Sequence, residues 1–163
     1  MSRNFLIPLF AGFLLSAPIA SAETMMIKEI DVQVDLTAVT NPAAAARYAN
    51  IAADLQSAVA ARLTDRIADE GAKVTIDVSE VELSNSFQDA LGLADSTLVG
   101  DVKITDSNDN THFKAFNLTV NIGQAKTFFA EGVDVTVQNA STDDYYHAMI
   151  EAFAENVVIR LDE

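Results

Sequence analysis

The longest periodic pattern in this chain lies between Thr40 and Gly71. Apolar side chains recur there at intervals of three and four residues, at Tyr48, Ile51, Ala52, Leu55, Val59, Leu63 and Ile67. This spacing places them on one face and predicts an amphipathic α-helix. Thr40 or Asn41 can cap its start, Pro42 suits the first helical position, and Gly71 can end it. Such a helix of about 28 residues is roughly 40 Å long, enough to lie across a whole sheet as the lid of its core.

Alternating apolar and polar residues predict five strands around this helix. The alternating runs span residues 30–36, 74–83, 98–104, 112–122 and 126–138. In the second run the alternation changes parity near Ser79 and Glu80, which predicts a β-bulge within a continuous strand. The polar residues 106–110 predict a hairpin connection between the third and fourth strands.

A second helix is predicted to close the chain. Ser141 or Thr142 can cap it, and Asp143 and Asp144 bring negative charge to its positive end. Its apolar face consists of Tyr146, Met149, Ile150, Phe153, Val157 and Leu161. The predicted order is therefore β-α-β-β-β-β-α. We expect an α+β two-layer sandwich, in which a mostly antiparallel sheet carries both helices on one face and exposes the other face to water.

The N-terminal 22 residues have the features of a signal peptide. An uncharged run from Phe5 to Ala20 ends in Ala20-Ser21-Ala22, a sequence that a signal peptidase accepts. A membrane anchor is disfavoured because prolines and a glycine interrupt a run too short to span a bilayer comfortably. We expect residues 1–22 to be removed and residues 23–163 to form a single α+β domain in the periplasm or outside the cell, with no membrane span.

Composition narrows the classes of partner. The formal net charge is −14 over 163 residues, which argues against binding to nucleic acid or to anionic lipid surfaces. The chain has no cysteine, so it has neither disulfides nor the acylated cysteine of a bacterial lipoprotein. The acidity can serve solubility or form an acidic binding face, and a count of charges does not separate the two.

Catalytic and metal-binding signatures are weak. The chain has no cysteine, no Gly-x-Ser-x-Gly sequence and two histidines, so we predict a non-catalytic protein without a cofactor. Asp106, Asn108 and Asn110 imitate the first half of a calcium loop, in which oxygen ligands alternate. Thr111 stands where the loop requires glycine and Asn117 where it requires glutamate. A polar hairpin turn is therefore favoured, and no metal is predicted.

The connection over residues 84–97 is longer and more apolar than a turn between strands requires. It contains Phe87, Leu91 and Leu93. One use is a short helix, capped by Ser84 or Asn85, that plugs the open end of the core; this is the commoner use of such a connection. The other is an apolar surface that meets a partner or covers a ligand. Phe87, Leu91 and Leu93 are the candidate partner-binding residues.

One family resemblance rests on the end of the first helix and the strands that follow. Leu55, Leu63 and Ile67 lead into Gly71-Ala72-Lys73-Val74-Thr75-Ile76, and residues 97–106 precede a polar turn. This pattern resembles small bacterial envelope proteins: the TolB amino-terminal domain, outer-membrane assembly lipoproteins and auxiliary lipoproteins of transporters. The chain departs from those lipoproteins because it lacks the lipid-anchor cysteine. The resemblance implies a non-catalytic binding role in envelope assembly or transport.

These observations favour an exported binding or assembly module that acts on a protein partner or an envelope component. Two other classes stay open. A small-ligand carrier or a carboxylate-based enzyme would need two carboxylates in one pocket, for which Asp77, Glu80, Asp101 and Asp134 are the candidates. A surface or matrix component that acts by self-assembly would need exposed edge strands.

Overall fold

The computed structural model describes residues 24–34, 48–82, 97–131 and 141–163. Its strands are β1 (Ile27–Val34), β2 (Ala72–Glu82), β3 (Thr97–Thr105) and β4 (Lys114–Asn121). Its helices are α1 (Ile51–Arg62), the short α2 (Ile122–Ala125) and α3 (Thr142–Asp162). One sheet carries α1 and α3 on a single face, which confirms the predicted α+β two-layer class.

The sheet has the strand order β1-β2-β3-β4. β1 and β2 are parallel, and the other two pairs are antiparallel. The connection explains the parallel pair. The chain leaves the end of β1, passes through α1 on one face of the sheet, and starts β2 at the end of the sheet where β1 also started. The sheet is therefore mixed, with mostly antiparallel pairing.

The predicted bulge in β2 is confirmed. The strand is continuous from Ala72 to Glu82, and its pairing with β3 shifts register between Val78 and Glu80. Ser79 is exposed at the shift, and its hydroxyl donates to the carbonyl of Val99 at 3.4 Å. The extra residue allows Val78, before the bulge, and Val81, after it, to contact the same core.

The core lies between the sheet and the two long helices. Alternate residues of β3, and of β2 before its bulge, point into it, and α3 packs over β3 and β4. Gly100 provides space for this packing, because a Cβ atom there would lie 3.1 Å from the ring of Phe153. A larger residue would push α3 away from the sheet.

The closing helix begins as predicted. The Ser141 hydroxyl accepts a hydrogen bond from the Asp144 N–H at 3.2 Å, and the Asp144 carboxylate accepts from the Ser141 N–H at 2.6 Å. This capping box satisfies free donors at the helix start, and its hydrogen bonds lower the pKa of the Asp144 carboxyl. The buried face differs slightly from the predicted one, because Tyr145 is fully buried and Tyr146 only half-buried.

The first helix ends earlier than predicted. It stops at Arg62, and a 3-10 turn at Thr64–Arg66 follows. The Thr64 hydroxyl donates to the Ala61 carbonyl at 2.9 Å, and Ile67 then leaves the helix to form a parallel bridge with Ile27. Gly71 therefore lies in the turn that enters β2 and does not end the helix. The predicted start, from Thr40 to Pro42, lies outside the described residues.

The predicted fifth strand is wrong over residues 126–131. The chain instead turns into α2 directly after β4, followed by a 3-10 turn at Lys126–Phe128. Asn121 and Gln124 form a second capping box, with side chain-to-backbone hydrogen bonds of 3.1 and 3.3 Å. This local hydrogen bonding favours a helix over a strand. The remainder of that predicted strand, 132–138, lies outside the described residues.

The predicted signal peptide, residues 1–22, also lies outside the described residues. Within the ranges that the structure describes, no helix is both long enough and apolar enough to cross a membrane.

Gly71 is the position where we expect the fold to tolerate substitution least. Its φ is +136°, and an added Cβ would lie 2.3 Å from the Met26 carbonyl oxygen, which accepts the hydrogen bond that starts β2. Gly71→Ala should lower the free energy of unfolding by about 2–3 kcal/mol through strain and loss of that bond. Urea unfolding of the chain without its predicted signal peptide measures this.

Gly123→Ala is the matched control, because Gly123 is not at positive φ and its added Cβ would approach only the Asn121 side chain. It should cost less than about 1 kcal/mol. Equal losses for the two variants would show that the Gly71 turn is not strained against Met26.

Candidate functional site

The predicted partner-binding residues Phe87, Leu91 and Leu93 lie outside the described residues. The ends of their segment are described: Glu82 and Thr97 pair across β2 and β3. We call this end of the sheet the open end. The core reaches it in a narrow apolar depression that leaves no room for a water molecule. The depression is lined by Ile51, Val81, Leu98, Tyr146, Met149 and Ile150.

Tyr146 joins the first turns of the two long helices at the rim of this depression. Its hydroxyl donates to Asp54 Oδ2 at 2.6 Å. Burial raises the pKa of the Tyr146 hydroxyl, and the bond to the Asp54 carboxylate raises it further. Tyr146 therefore stays protonated at neutral pH and acts as a hydrogen-bond donor that ties α3 to α1.

A larger hollow, which we call the helical groove, runs between α1 and α3. Contacts from Asp54 to Tyr146 and from Arg62 to Glu151 and Glu155 show that the two helices run in the same direction. The groove has a volume of about 310 Å³. Its lining comes from both helices: Asp54, Ser57, Ala58 and Ala61 of α1, and His147, Ile150 and Glu151 of α3.

The calcium-like residues lie in the β3–β4 connection, at the opposite end of the sheet from the open end. Asp106 Oδ1 accepts from the Asn108 N–H at 2.9 Å, and Asp106 Oδ2 lies 3.1 Å from His112 Nδ1. Both Asp106 carboxylate oxygens therefore already have a polar partner within the protein, and the side chain is only 7 % exposed. This geometry supports the interpretation as a polar turn. Among the described residues, no three histidine, cysteine, aspartate or glutamate side chains are placed to hold a metal ion.

The face of the sheet opposite the helices, which we call the open sheet face, carries charges in two different settings. On β1 and β2, Lys73 Nζ lies 2.7 Å from a Glu29 oxygen and 3.0 Å from an Asp31 oxygen. The hydrogen bond from Lys73 lowers the pKa of the Asp31 carboxyl, and the Glu29 carboxylate raises the pKa of Lys73. Both carboxylates in this half of the face therefore have an ion-pair partner, although they share a single ammonium.

The other half of the open sheet face places two carboxylates side by side. Asp77 of β2 pairs directly with Asp101 of β3, and both side chains are exposed. Directly opposite residues have Cβ atoms about 5 Å apart. Asn117 donates to Asp101 Oδ1 at 3.0 Å, but this donor is neutral. Neither carboxylate forms an ion pair with the described residues, although Lys103 lies two residues from Asp101 on the same face.

Sequence reasoning named Asp77 and Asp101 as candidates but could not pair them, because register depends on the bulge at Ser79. Glu80 and Asp134, the other two candidates, have side chains outside the described set. The helical groove was missed entirely. Its only sequence signal is the spacing of Asp54, Ala58 and Ala61 along one side of α1, which does not reveal the neighbouring helix.

Comparison with known proteins found likeness only among solved structures. No protein-family model and no curated protein sequence matches the chain. A DUF330 protein from Xanthomonas campestris is 14% identical with a TM-score of 0.45, over 90% of this chain and 89% of that one. A "putative lipoprotein" from Caulobacter crescentus is 12% identical with a TM-score of 0.39, over 68% of this chain and 79% of that one. Both neighbours are bacterial proteins.

The Asp106 turn should make stability depend on pH. The Asn108 N–H, and after it the His112 ring, hold the pKa of the Asp106 carboxyl below its ordinary value. A lowered pKa in the folded state stabilises the fold above the ordinary value of about 3.9, and this stabilisation is lost as the pH falls through the lowered pKa. Asp106→Asn should therefore be less stable than the parent at pH 7, with a difference that shrinks toward pH 2.5.

Urea unfolding at several pH values measures this difference. Asp69→Asn, at an exposed carboxylate outside the turn, is the control and should show no such trend. A constant difference between Asp106→Asn and the parent from pH 7 to pH 2.5 would contradict the assignment.

Proposed function

We propose that this chain is an exported, non-catalytic binding module that acts on a protein partner or an envelope component. The observation that carries the proposal is the opposition of Asp77 and Asp101 on the open sheet face. Like charges directly opposite each other across two strands cost about 0.2–1 kcal/mol of stability. Solubility does not require that cost, because separated charges on any exposed position serve it equally well. A cationic group on a partner would relieve the repulsion between the two carboxylates, and binding it would be a function for this arrangement.

The partner chemistry follows from the geometry of the pair. The planar guanidinium of an arginine presents parallel N–H donors that match carboxylate oxygens, and it can bridge two neighbouring carboxylates. A lysine ammonium can do so as a point charge. The amide side chains of Gln33 and Asn117, which extend the same row onto β1 and β4, offer further hydrogen bonds. A protein surface with exposed Arg or Lys therefore fits the open sheet face.

The apolar segment 84–97 is the second contact in this proposal. Its ends continue β2 and β3, the same strands that carry Asp77 and Asp101. At about 3.3 Å per residue, the acidic pair lies about 15 Å from the open end. A partner that covers about 800 Å² can reach both. Contacts by Phe87, Leu91 and Leu93 would add apolar burial to the electrostatic recognition. A role like that of TolB amino-terminal domains or auxiliary envelope lipoproteins is the narrower form of the same proposal.

The two other classes have less support. A carboxylate-based enzyme or carrier needs a carboxylate pair shielded from water, and both Asp77 and Asp101 are exposed. Self-assembly needs an edge that accepts another strand. β1 and β4 are the edge strands of the described sheet, but β1 carries Lys28, Glu29 and Asp31. Charged side chains along β1 disfavour edge-to-edge pairing there, so self-assembly would have to use β4, whose one charged residue is Lys114.

The double variant Asp77→Asn, Asp101→Asn tests the acidic pair. In a pull-down from an envelope extract with residues 23–163 as bait, we expect the parent to retain a partner and the variant to lose it. The variant should be as stable as the parent or more stable by about 0.2–1 kcal/mol, because the repulsion is removed.

Asp65→Asn, Asp69→Asn is the matched control, since it changes the net charge equally at exposed positions outside the open sheet face. It should keep the partner. If both double variants lose the partner equally, the effect comes from net charge alone. If the Asp77, Asp101 variant retains the partner, this pair is not the binding site.

The triple variant Phe87→Ala, Leu91→Ala, Leu93→Ala tests the apolar segment in the same assay. If these side chains contact the partner, the variant should lose partner capture while its melting temperature stays within a few degrees of the parent's. A large loss of melting temperature would identify them as core residues instead, since truncating a buried Leu or Phe costs about 2–5 kcal/mol.

A further inference from the structure

The helical groove lies on the opposite layer of the domain from the open sheet face. Its floor consists of Ala58 and Ile150, which are 8% and 4% exposed, and short side chains at Ser57 and Ala61 keep its α1 side low. A partner backbone can therefore approach closely and place one side chain on an apolar floor. The sheet separates this surface from Asp77 and Asp101, so both surfaces can be occupied at once.

The charged rim of the groove is negative. Asp54 accepts a hydrogen bond from the neutral Tyr146 hydroxyl and forms no ion pair with a cation in the part of the chain that the structure describes. Glu151 lies 2.7 Å from Arg62, but Arg62 also pairs with Glu155 at 2.9 Å. Two carboxylates share one guanidinium, so that cluster keeps one net negative charge. The rim therefore attracts a cation and repels anionic ligands.

The size of the groove favours a side chain of a polypeptide over a free ligand. Its volume of about 310 Å³ stands at the lower limit of cavities that bury drug-sized molecules, which span about 300–1,000 Å³. The groove is also open along its length. An arginine or lysine can lay its aliphatic stem on Ala58 and Ile150 and bring its charge to Asp54 and Glu151.

We propose that the helical groove is a second binding surface, which takes a basic segment of a partner protein that inserts an arginine or lysine between α1 and α3. This goes beyond the proposed function, because it makes the domain a connector with acidic surfaces on both layers.

The test uses two synthetic peptides and amide chemical shifts of residues 23–163. One 12-residue alanine-rich peptide carries three arginines, and the other has glutamine in their place. We expect the arginine peptide to shift amides of Asp54, Ser57, Ala61, His147 and Glu151, and the glutamine peptide to shift them far less. Asp54→Asn, Glu151→Gln should weaken binding about three- to tenfold. Asp54→Asn keeps an acceptor for Tyr146.

A pair of leucine variants separates the groove from a general effect of charge. Ala61→Leu fills the groove from an exposed position and should weaken binding of the arginine peptide about tenfold. Ala53→Leu, exposed on the same helix but outside the groove, should leave it unchanged. Equal effects of the two leucines, equal shifts from both peptides, or shifts confined to the open sheet face would each overturn the proposal.

The double variant Asp77→Asn, Asp101→Asn keeps the two proposals distinguishable. It should bind the arginine peptide at the groove as the parent does, even where it loses the envelope partner. If it abolishes the groove shifts, the groove is not an independent surface.

Discussion

A single constraint governs this domain: its sheet has one apolar face, so both long helices must cover that face and leave the other in water. The inward residues of all four strands pack under α1 and α3, and Gly100 allows Phe153 to sit close against β3. Because none of the described helices covers the other face, the described charges on it are paired only with neighbours within the sheet. Lys73 forms ion pairs with both Glu29 and Asp31, whereas no cation among the described residues forms an ion pair with Asp77 or Asp101.

The helix layer also contains both ion-paired and unpaired carboxylates. Arg62 holds α1 to α3 through ion pairs with Glu151 and Glu155. Closer to the end of α3, Arg66 forms an ion pair with Asp162 at a distance of 2.6 Å. These ion pairs link the helices, yet among the described residues carboxylates outnumber cations around the helical groove. The acids behind the net charge of −14 are therefore of two kinds, because some are ion-paired and others form no ion pair with the described residues. Uncompensated acid that costs stability is typical of binding surfaces, where function and stability compete.

Local patterns predicted most of the fold. Alternation found the four strands, the parity change near Ser79 found the bulge, and Ser141 with Asp144 marked the start of α3. The errors arose where longer-range or competing contacts decide. Ile67 continues the helical period but pairs with Ile27, and Asn121 with Gln124 starts a helix where alternation suggested a strand. Two features could not be predicted: the opposition of Asp77 and Asp101, and the helical groove. Both depend on which elements are neighbours in space, and the periodicity of a sequence does not give that information.

The acidic pair on the open sheet face should lower the stability of the free protein. The salt dependence of unfolding tests it most directly, because about 1 M salt screens charges beyond about 3 Å. At low salt, Asp77→Asn, Asp101→Asn should exceed the parent in free energy of unfolding, and the difference should vanish as salt rises. A parent that is the more stable protein at low salt, or a difference unaffected by salt, would contradict the claim.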